Sequence, residues 1–263
     1  MPYADVNGAQ LYYEQHGSGP DLVLAHGAGG NHLVWWQQIP EFAREFRCTI
    51  YDARGWGLSR GNMRAGRFAF GTDLIGLLDY LGIEQANFVA HSMAGRAMAG
   101  LTRLAPGRIQ SLVLSGTNGG VANERIRALQ DELRERRGGG GLREHALSDS
   151  FEARNPQLAL LYRQFNSLNP PRPRGMLGRP PANYTGSMHE LLSGTGAPML
   201  FIVGEHDLIT SPELIREAVV MVPGAQFHEV RDAGHSAYFE QPEDWNAAVL
   251  GFLRSAREGM RGK

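Results

Sequence analysis

Apolar residues along this chain follow two alternating rhythms. Short continuous runs stand in D-L-V-L-A (21–25), R-C-T-I-Y (47–51), F-V-A-H (88–91), S-L-V-L (111–114) and P-M-L-F-I-V (198–203). Runs without a polar face predict strands covered on both sides, as in a parallel sheet. Between them, apolar residues recur every third or fourth position. Residues 68–82 carry Leu74, Leu77, Leu78 and Leu81 on one helical face, and further helices are predicted over 93–105, 211–221 and 238–255. Residues 31–46 read as a helix that kinks or restarts at Pro40. Asn7-Gly8, between two strand-prone segments, predicts a hairpin, and F-H-E-V (227–230) a last strand. Strands alternating with helices predict an α/β fold, its sheet mostly parallel and flanked by helices on both faces.

The rhythm breaks once, over 118–190. That stretch holds R-E-R-R-G-G-G-G and N-P-P-R-P-R-G with only short amphipathic segments between. It is too long for a plain connection and reads as an inserted, mainly helical lid or cap. The division predicted is a core of 1–117 and 191–263 around a cap of 118–190.

Charge narrows the partners. Lys and Arg number 26 against 27 Asp and Glu, a net charge of −1 with no block of one sign. Nothing predicts a grip on nucleic acid or an anionic membrane. No run approaches the apolar length of a membrane span, and M-P-Y-A-D-V-N-G has no signal-peptide pattern. The single cysteine, Cys48, cannot close an internal disulfide and reads as core filler. A cytoplasmic monomer or homodimer is the expectation.

The chemistry concentrates in A-H-S-M-A-G (90–95). A serine between strand and helix, with small residues two positions to either side, fits a sharp turn that lifts its hydroxyl out of the sheet. Ala90 and Ala94 meet the size requirement. A serine needs a base, and His235 follows the last strand, on the rim where Ser92 should lie. The base needs a carboxylate, and Asp207 follows the penultimate strand. Glu205, Asp232 and Asp52 are the rivals; Asp52, in D-A-R-G-W-G-L-S, reads instead as a loop brace. The backbone amides of Ala28, in H-G-A-G-G, and Met93, at a helix start, are the candidate oxyanion donors. Gly27, Trp36, Leu58 and His91 are candidate pocket residues. Trp35, Met93, Leu129, Met176 and Leu177 are further apolar candidates, with core packing as the other reading of the tryptophans.

Five stretches together resemble the α/β-hydrolase fold superfamily: H-G-A-G-G (26–30), D-A-R-G-W-G-L-S (52–59), A-H-S-M-A-G (90–95), G-E-H-D (204–207) and G-H-S-A-Y-F-E-Q-P-E (234–243). The likeness covers the chain outside 118–190. It implies Ser92 as nucleophile, His235 as base, Asp207 as acid, and Ala28 and Met93 as oxyanion donors. The departure is alanine at positions 90 and 94, where the family pattern has glycine. Within the superfamily the chain looks like the esterase, lactonase and carbon–carbon hydrolase branch. The function expected is hydrolysis of a small apolar ester or lactone through an acyl-enzyme, with no metal or organic cofactor implied. Alternatives are carbon–carbon bond hydrolysis of a vinylogous diketone, a ligand receptor built on the same pocket, and a haloperoxidase-like side activity. The cap's arginines are mostly offset by nearby acids; recognition of a carboxylate by one of them is the other reading.

Overall fold

A computed structural model describes residues 2–138, 141–173, 175–177 and 187–261. Its centre is one sheet of nine strands: β1 (Tyr3–Val6), β2 (Ala9–His16), β3 (Asp21–Ala25), β4 (Arg47–Tyr51), β5 (Arg60–Gly61), β6 (Ala86–His91), β7 (Ile109–Ser115), β8 (Met199–Gly204) and β9 (Gln226–Val230). Spatial order is β1-β2-β4-β3-β6-β7-β8-β9, with β5 paired to β2. From β4 to β9 every pairing is parallel; β1 and β2 form the hairpin, with Asn7 and Gly8 at φ 49° and 71° as its turn requires. The continuous apolar runs occupy the middle. All six residues of β6 and of β8 are buried, as strands covered on both faces must be.

The helices are α1 (Ile39–Phe42), α2 (Phe70–Tyr80), α3 (Gly95–Leu104), α4 (Glu124–Arg137), α5 (Asp149–Arg154), α6 (Pro156–Ser167), α7 (His189–Gly194), α8 (Pro212–Val220), α9 (Ala237–Glu240) and α10 (Pro242–Arg261). They divide the core in two. On one face, Leu74, Leu77 and Leu78 of α2 pack with Ala97, Met98 and Leu101 of α3 and with Ile215 of α8. Full burial of each leucine contributes about 1.5–3 kcal/mol. On the other face, Trp245, Val249 and Leu253, one helical turn apart along α10, meet Trp35, Phe42 and Phe46.

The predicted helix over 31–46 is two pieces. Asn31 caps a 3₁₀ turn, His32–Trp35, through its side-chain oxygen and the Leu33 N–H; α1 then starts afresh with Pro40 in its first turn. Strand β5 carries no apolar signal, and its pairing with β2 defines it. Strand β9 closes one side of the sheet, with Glu229 bonded to Arg216 at 2.8 Å and His228 to Asp244 at 3.1 Å.

Parallel registry brings the carboxyl ends of β3, β4, β6, β7 and β8 to one rim, where Ala25 lies between Tyr51 and Ala90, and His91 beside Ser115. Functional loops of such sheets lie beyond that rim. Gly204 ends β8 against the next loop: a Cβ there would come within 2.1 Å of the Gly234 carbonyl oxygen. Only glycine lets the loop of Asp207 and the loop of His235 approach so closely.

Over the rim lie the 3₁₀ turn Leu142–His145 and α6, with α5 packed beside α6. Asn169 fastens them down: its amide donates to the Gly29 carbonyl at 2.6 Å, and its oxygen accepts from the Gly57 N–H at 2.8 Å. Asn31 reaches back, donating to the Phe165 carbonyl at 2.8 Å. By contrast, α4 packs against α8 and buries Ile126, Leu129 and Leu133 in the core.

Candidate active site

Ser92 stands between β6 and the 3₁₀ turn that opens α3, with φ 51°, in the left-handed region that few non-glycine residues adopt. Buried alanines flank the turn at 90 and 94, so two extra methyl groups are accommodated where the family pattern has glycine. The Ser92 hydroxyl lies 2.8 Å from His235 Nε2. On the other side of the ring, Nδ1 lies 2.8 Å from Asp207 Oδ2. Since a carboxylate only accepts, Nδ1 carries the hydrogen and Nε2 is left to accept from the serine. Three residues far apart in sequence thus form one hydrogen-bonded chain.

Asp207 is buried, and its acceptors are fully used. Oδ1 accepts from the Ile209 and Thr210 N–H groups at 2.7 and 2.9 Å, and Oδ2 from the Thr210 hydroxyl at 2.8 Å. These bonds fix the carboxylate that orients His235. The rivals lie elsewhere. Asp52 accepts from the His32 and Leu58 N–H groups at 2.6 and 2.7 Å and from His32 Nδ1 at 2.9 Å, bracing its own loop. Glu205 accepts from the Asp232 N–H at 3.0 Å on the surface. Glu205, His206 and Asp232 hold donor atoms within 4.8 Å of one another, but all three are exposed. They do not line the cavity over Ser92.

That cavity is about 400 Å³ and reaches from Ser92 and His235 to the overlying turn and α6. Gly27, Ala28 and His91 line it, and Met93 follows directly on Ser92. Among the described residues, no acceptor pairs with the backbone N–H of Ala28 or of Met93.

Trp36 and Leu58 do not line it: they stand 44 and 47 % exposed. The 3₁₀ turn ends at Trp35, so the helical period that would bring Trp36 inward is lost. Leu58 sits in a tight loop held from inside by Asp52. Trp35 and Leu129 are core residues, Met176 packs in the core cluster, and Leu177 borders the cavity.

His91 sits beside these three residues, its ring 4.9 Å from that of His235 and 4.9 Å from Tyr238. Its Nδ1 lies 3.1 Å from the Ser115 carbonyl, which can only accept, so Nδ1 carries the hydrogen. Burial, reinforced by His235 nearby, pushes His91 well below the usual imidazole range and keeps it neutral. His26 is lowered too, chiefly by burial; it joins the two glycine-rich loops by bonding the Gly27 carbonyl at 2.8 Å and the Ala53 N–H at 3.0 Å.

Several site residues were not singled out in the sequence, although Glu240 lies within G-H-S-A-Y-F-E-Q-P-E. Glu240 accepts from the Ser148 hydroxyl and N–H at 2.6 and 3.2 Å and from the Gly234 N–H at 3.0 Å. It ties the His235 loop to α5, and burial pushes its carboxyl up. Trp56, Arg143, Tyr162 and Arg172 border the cavity. Of these, Trp56 belongs to D-A-R-G-W-G-L-S, the motif that could have flagged it.

The family model described as the alpha/beta hydrolase fold matches residues 20–242. The chain belongs to that family. It is a hydrolase. A thermophilic esterase from Thermogutta terrifontis superposes with a TM-score of 0.81 at 26% identity, over 97% of this chain and 99% of its own. The 3-oxoadipate enol-lactonase 1 of Acinetobacter baylyi is 27% identical over 242 residues, 90% of this hydrolase and 89% of that enzyme. The 2-hydroxy-6-oxononadienedioate/2-hydroxy-6-oxononatrienedioate hydrolase of Paraburkholderia phymatum is 28% identical over 271 residues, 93% of this chain and 91% of its own. Among the described residues, no helix is long and apolar enough to cross a membrane.

Proposed function

We propose that this hydrolase cleaves a small carboxylic ester or lactone through an acyl-enzyme, with Ser92, His235 and Asp207 as its catalytic residues. The observation that carries the reading is the pair of 2.8 Å hydrogen bonds running from Ser92 through His235 to Asp207. The Ser92 oxygen attacks the substrate carbonyl carbon and its proton passes to His235 Nε2. Asp207, fixed by four hydrogen bonds, stabilises the imidazolium that forms. The unengaged N–H groups of Ala28 and Met93 receive the oxyanion, the latter with the favourable dipole of a helix start. His235 returns its proton to the departing alkoxide, which leaves as the alcohol. It then takes a proton from water as that water attacks the acyl carbon, and the acid is released with Ser92 restored. In this reading residues 1–117 and 191–263 form the core and 118–190 the cap, whose turn Leu142–His145 and helix α6 border the cavity.

A fluorophosphonate probe followed by peptide mapping tests it. The label should fall on Ser92, and Ser92→Ala should lower kcat on a small ester by roughly 10⁴-fold or more. A label elsewhere, or an alanine variant as active as wild type, overturns the assignment. A second reading, carbon–carbon bond hydrolysis, draws on the likeness to the Paraburkholderia phymatum enzyme. A model ester and a ring-cleavage dienoate assayed side by side separate the two.

A further inference from the structure

Among the described arginines of the segment 118–190, Arg127, Arg136, Arg137 and Arg154 lie away from the cavity over Ser92. Arg125, Arg134 and Arg163 face solvent and pair with Glu132 and Glu213, Asp131 and Glu152 respectively. Arg143, which is exposed, and Arg172, which is half-buried, make no such pair. Both border the cavity over Ser92, and among the described residues no carboxylate lies within 4.0 Å of either guanidinium. The remaining residues of the chain contain no Asp or Glu.

Their placement is built. Arg172 is half-buried, its guanidinium 4.6 Å from the centre of the Trp56 ring, with Nη1 3.5 Å from the Gly55 carbonyl oxygen. Arg143, on the turn Leu142–His145, brings its Nε to 3.9 Å from where a Cβ would stand on Gly29, the residue after Ala28. The two are close enough to repel: burial first, and then the charge of Arg143, lower the proton affinity of Arg172. Two like charges converging on one concave site are unfavourable unless an anion lies between them. Glu144, also on the rim, is turned to the Gly141 N–H at 3.3 Å and pairs with neither. Trp56, Leu177, Ile209 and Tyr238 give the same cavity apolar wall.

We propose that Arg143 and Arg172 form an anion site in the roof of the cavity, and that the substrate is an ester or lactone carrying a second, non-reacting carboxylate. The inference rests on the serine-hydrolase reading above and specifies its substrate class. The carboxylate sits between the planar guanidinium forks, a short apolar spacer lies along Trp56 and Leu177, and the reacting carbonyl reaches Ser92. A monoester of a straight-chain dicarboxylic acid has this layout.

Two probes test it on the full chain: the mono-4-nitrophenyl ester of adipic acid, and 4-nitrophenyl heptanoate as its uncharged counterpart. Wild type should favour the adipate ester in kcat/KM. In Arg143→Met and Arg172→Met that preference should fall by at least about tenfold, through KM, as loss of a charge-assisted bond requires. Arg172→Lys, which keeps the charge, should recover part of it. Free adipate should raise the melting temperature of wild type and raise that of the two methionine variants less. No preference in wild type, equal losses on both esters, or no effect of adipate on melting overturns the anion site. Ser92-dependent hydrolysis of the heptanoate ester without such preference leaves the hydrolase reading standing alone. Binding of adipate through the arginines with neither ester cleaved does the reverse.

Discussion

Ser92 holds a left-handed backbone at φ 51°. Such a conformation costs a non-glycine residue about 1–3 kcal/mol and persists only where the surroundings enforce it. Here the enforcement is the strand–turn–helix passage, with alanines rather than glycines at its narrowest points. The strain has a measurable consequence apart from catalysis. Ser92→Ala and Ser92→Gly both delete the hydroxyl, but only glycine accepts the backbone without penalty. Ser92→Gly should therefore be more stable than Ser92→Ala by about 1 kcal/mol in denaturant unfolding. Equal stabilities would mean that the turn is relaxed.

Helices α2 and α3 meet at a pair of glycines. A Cβ on Gly71 would stand 2.6 Å from the Gly100 Cα, so the backbones touch with no side chain between them. Gly71→Ala must push the helices apart, and a loss of about 1–3 kcal/mol is expected by chemical denaturation. Gly251, in α10, is the contrast: nothing lies within 4 Å of a Cβ built there. Gly251→Ala should stabilise by about 0.5–1 kcal/mol, since only the helix propensity changes. Elements of this kind were legible in the sequence to the extent that burial fixed them. The runs at 88–91 and 198–203 are apolar at nearly every position because both faces are covered, and the strands stand where they are read. The region 31–46 is harder, because a 3₁₀ turn and a one-turn helix share the apolar content of a longer helix. Trp36 was misplaced for that reason. Ser92, Asp207 and His235 were legible because parallel topology sends each strand end to one rim. Which of the cap's arginines reach the cavity was not, because Arg143 sits on a single 3₁₀ turn and Arg172 in irregular chain, and neither has a periodicity that encodes its path.

Two neutral imidazoles set how the whole molecule answers to acid. His26 and His91 are buried and hold their protons less tightly than free imidazole. The unfolded chain takes up protons at these positions as pH falls below about 6.5, before the folded chain does. Their contribution to stability is complete above that value and is lost progressively below it. Glu240 acts in the opposite sense. Its raised affinity stabilises the fold at low pH, and that contribution fades as pH rises above the ordinary glutamate value of 4.5. Between about pH 6.5 and 5 the melting temperature should fall, and His91→Asn should fall less steeply across the same window. Parallel curves for the two proteins would rule His91 out as a source of the slope.

The outer strand β9 bears on how copies of this chain behave together. A bare strand border offers a row of unpaired amides and carbonyls to any other sheet. Here Glu229 and His228 are tethered along that border to Arg216 and Asp244, so a second sheet docking there would have to strip a charged fringe of its water and its partners. The opposite side of the sheet ends in two short strands, the four residues of β1, which α2 contacts, and the two of β5. Fibril-like stacking is thus discouraged along β9 by charge and on the other side by the shortness of its strands, and concentrated solutions of the folded chain should stay clear.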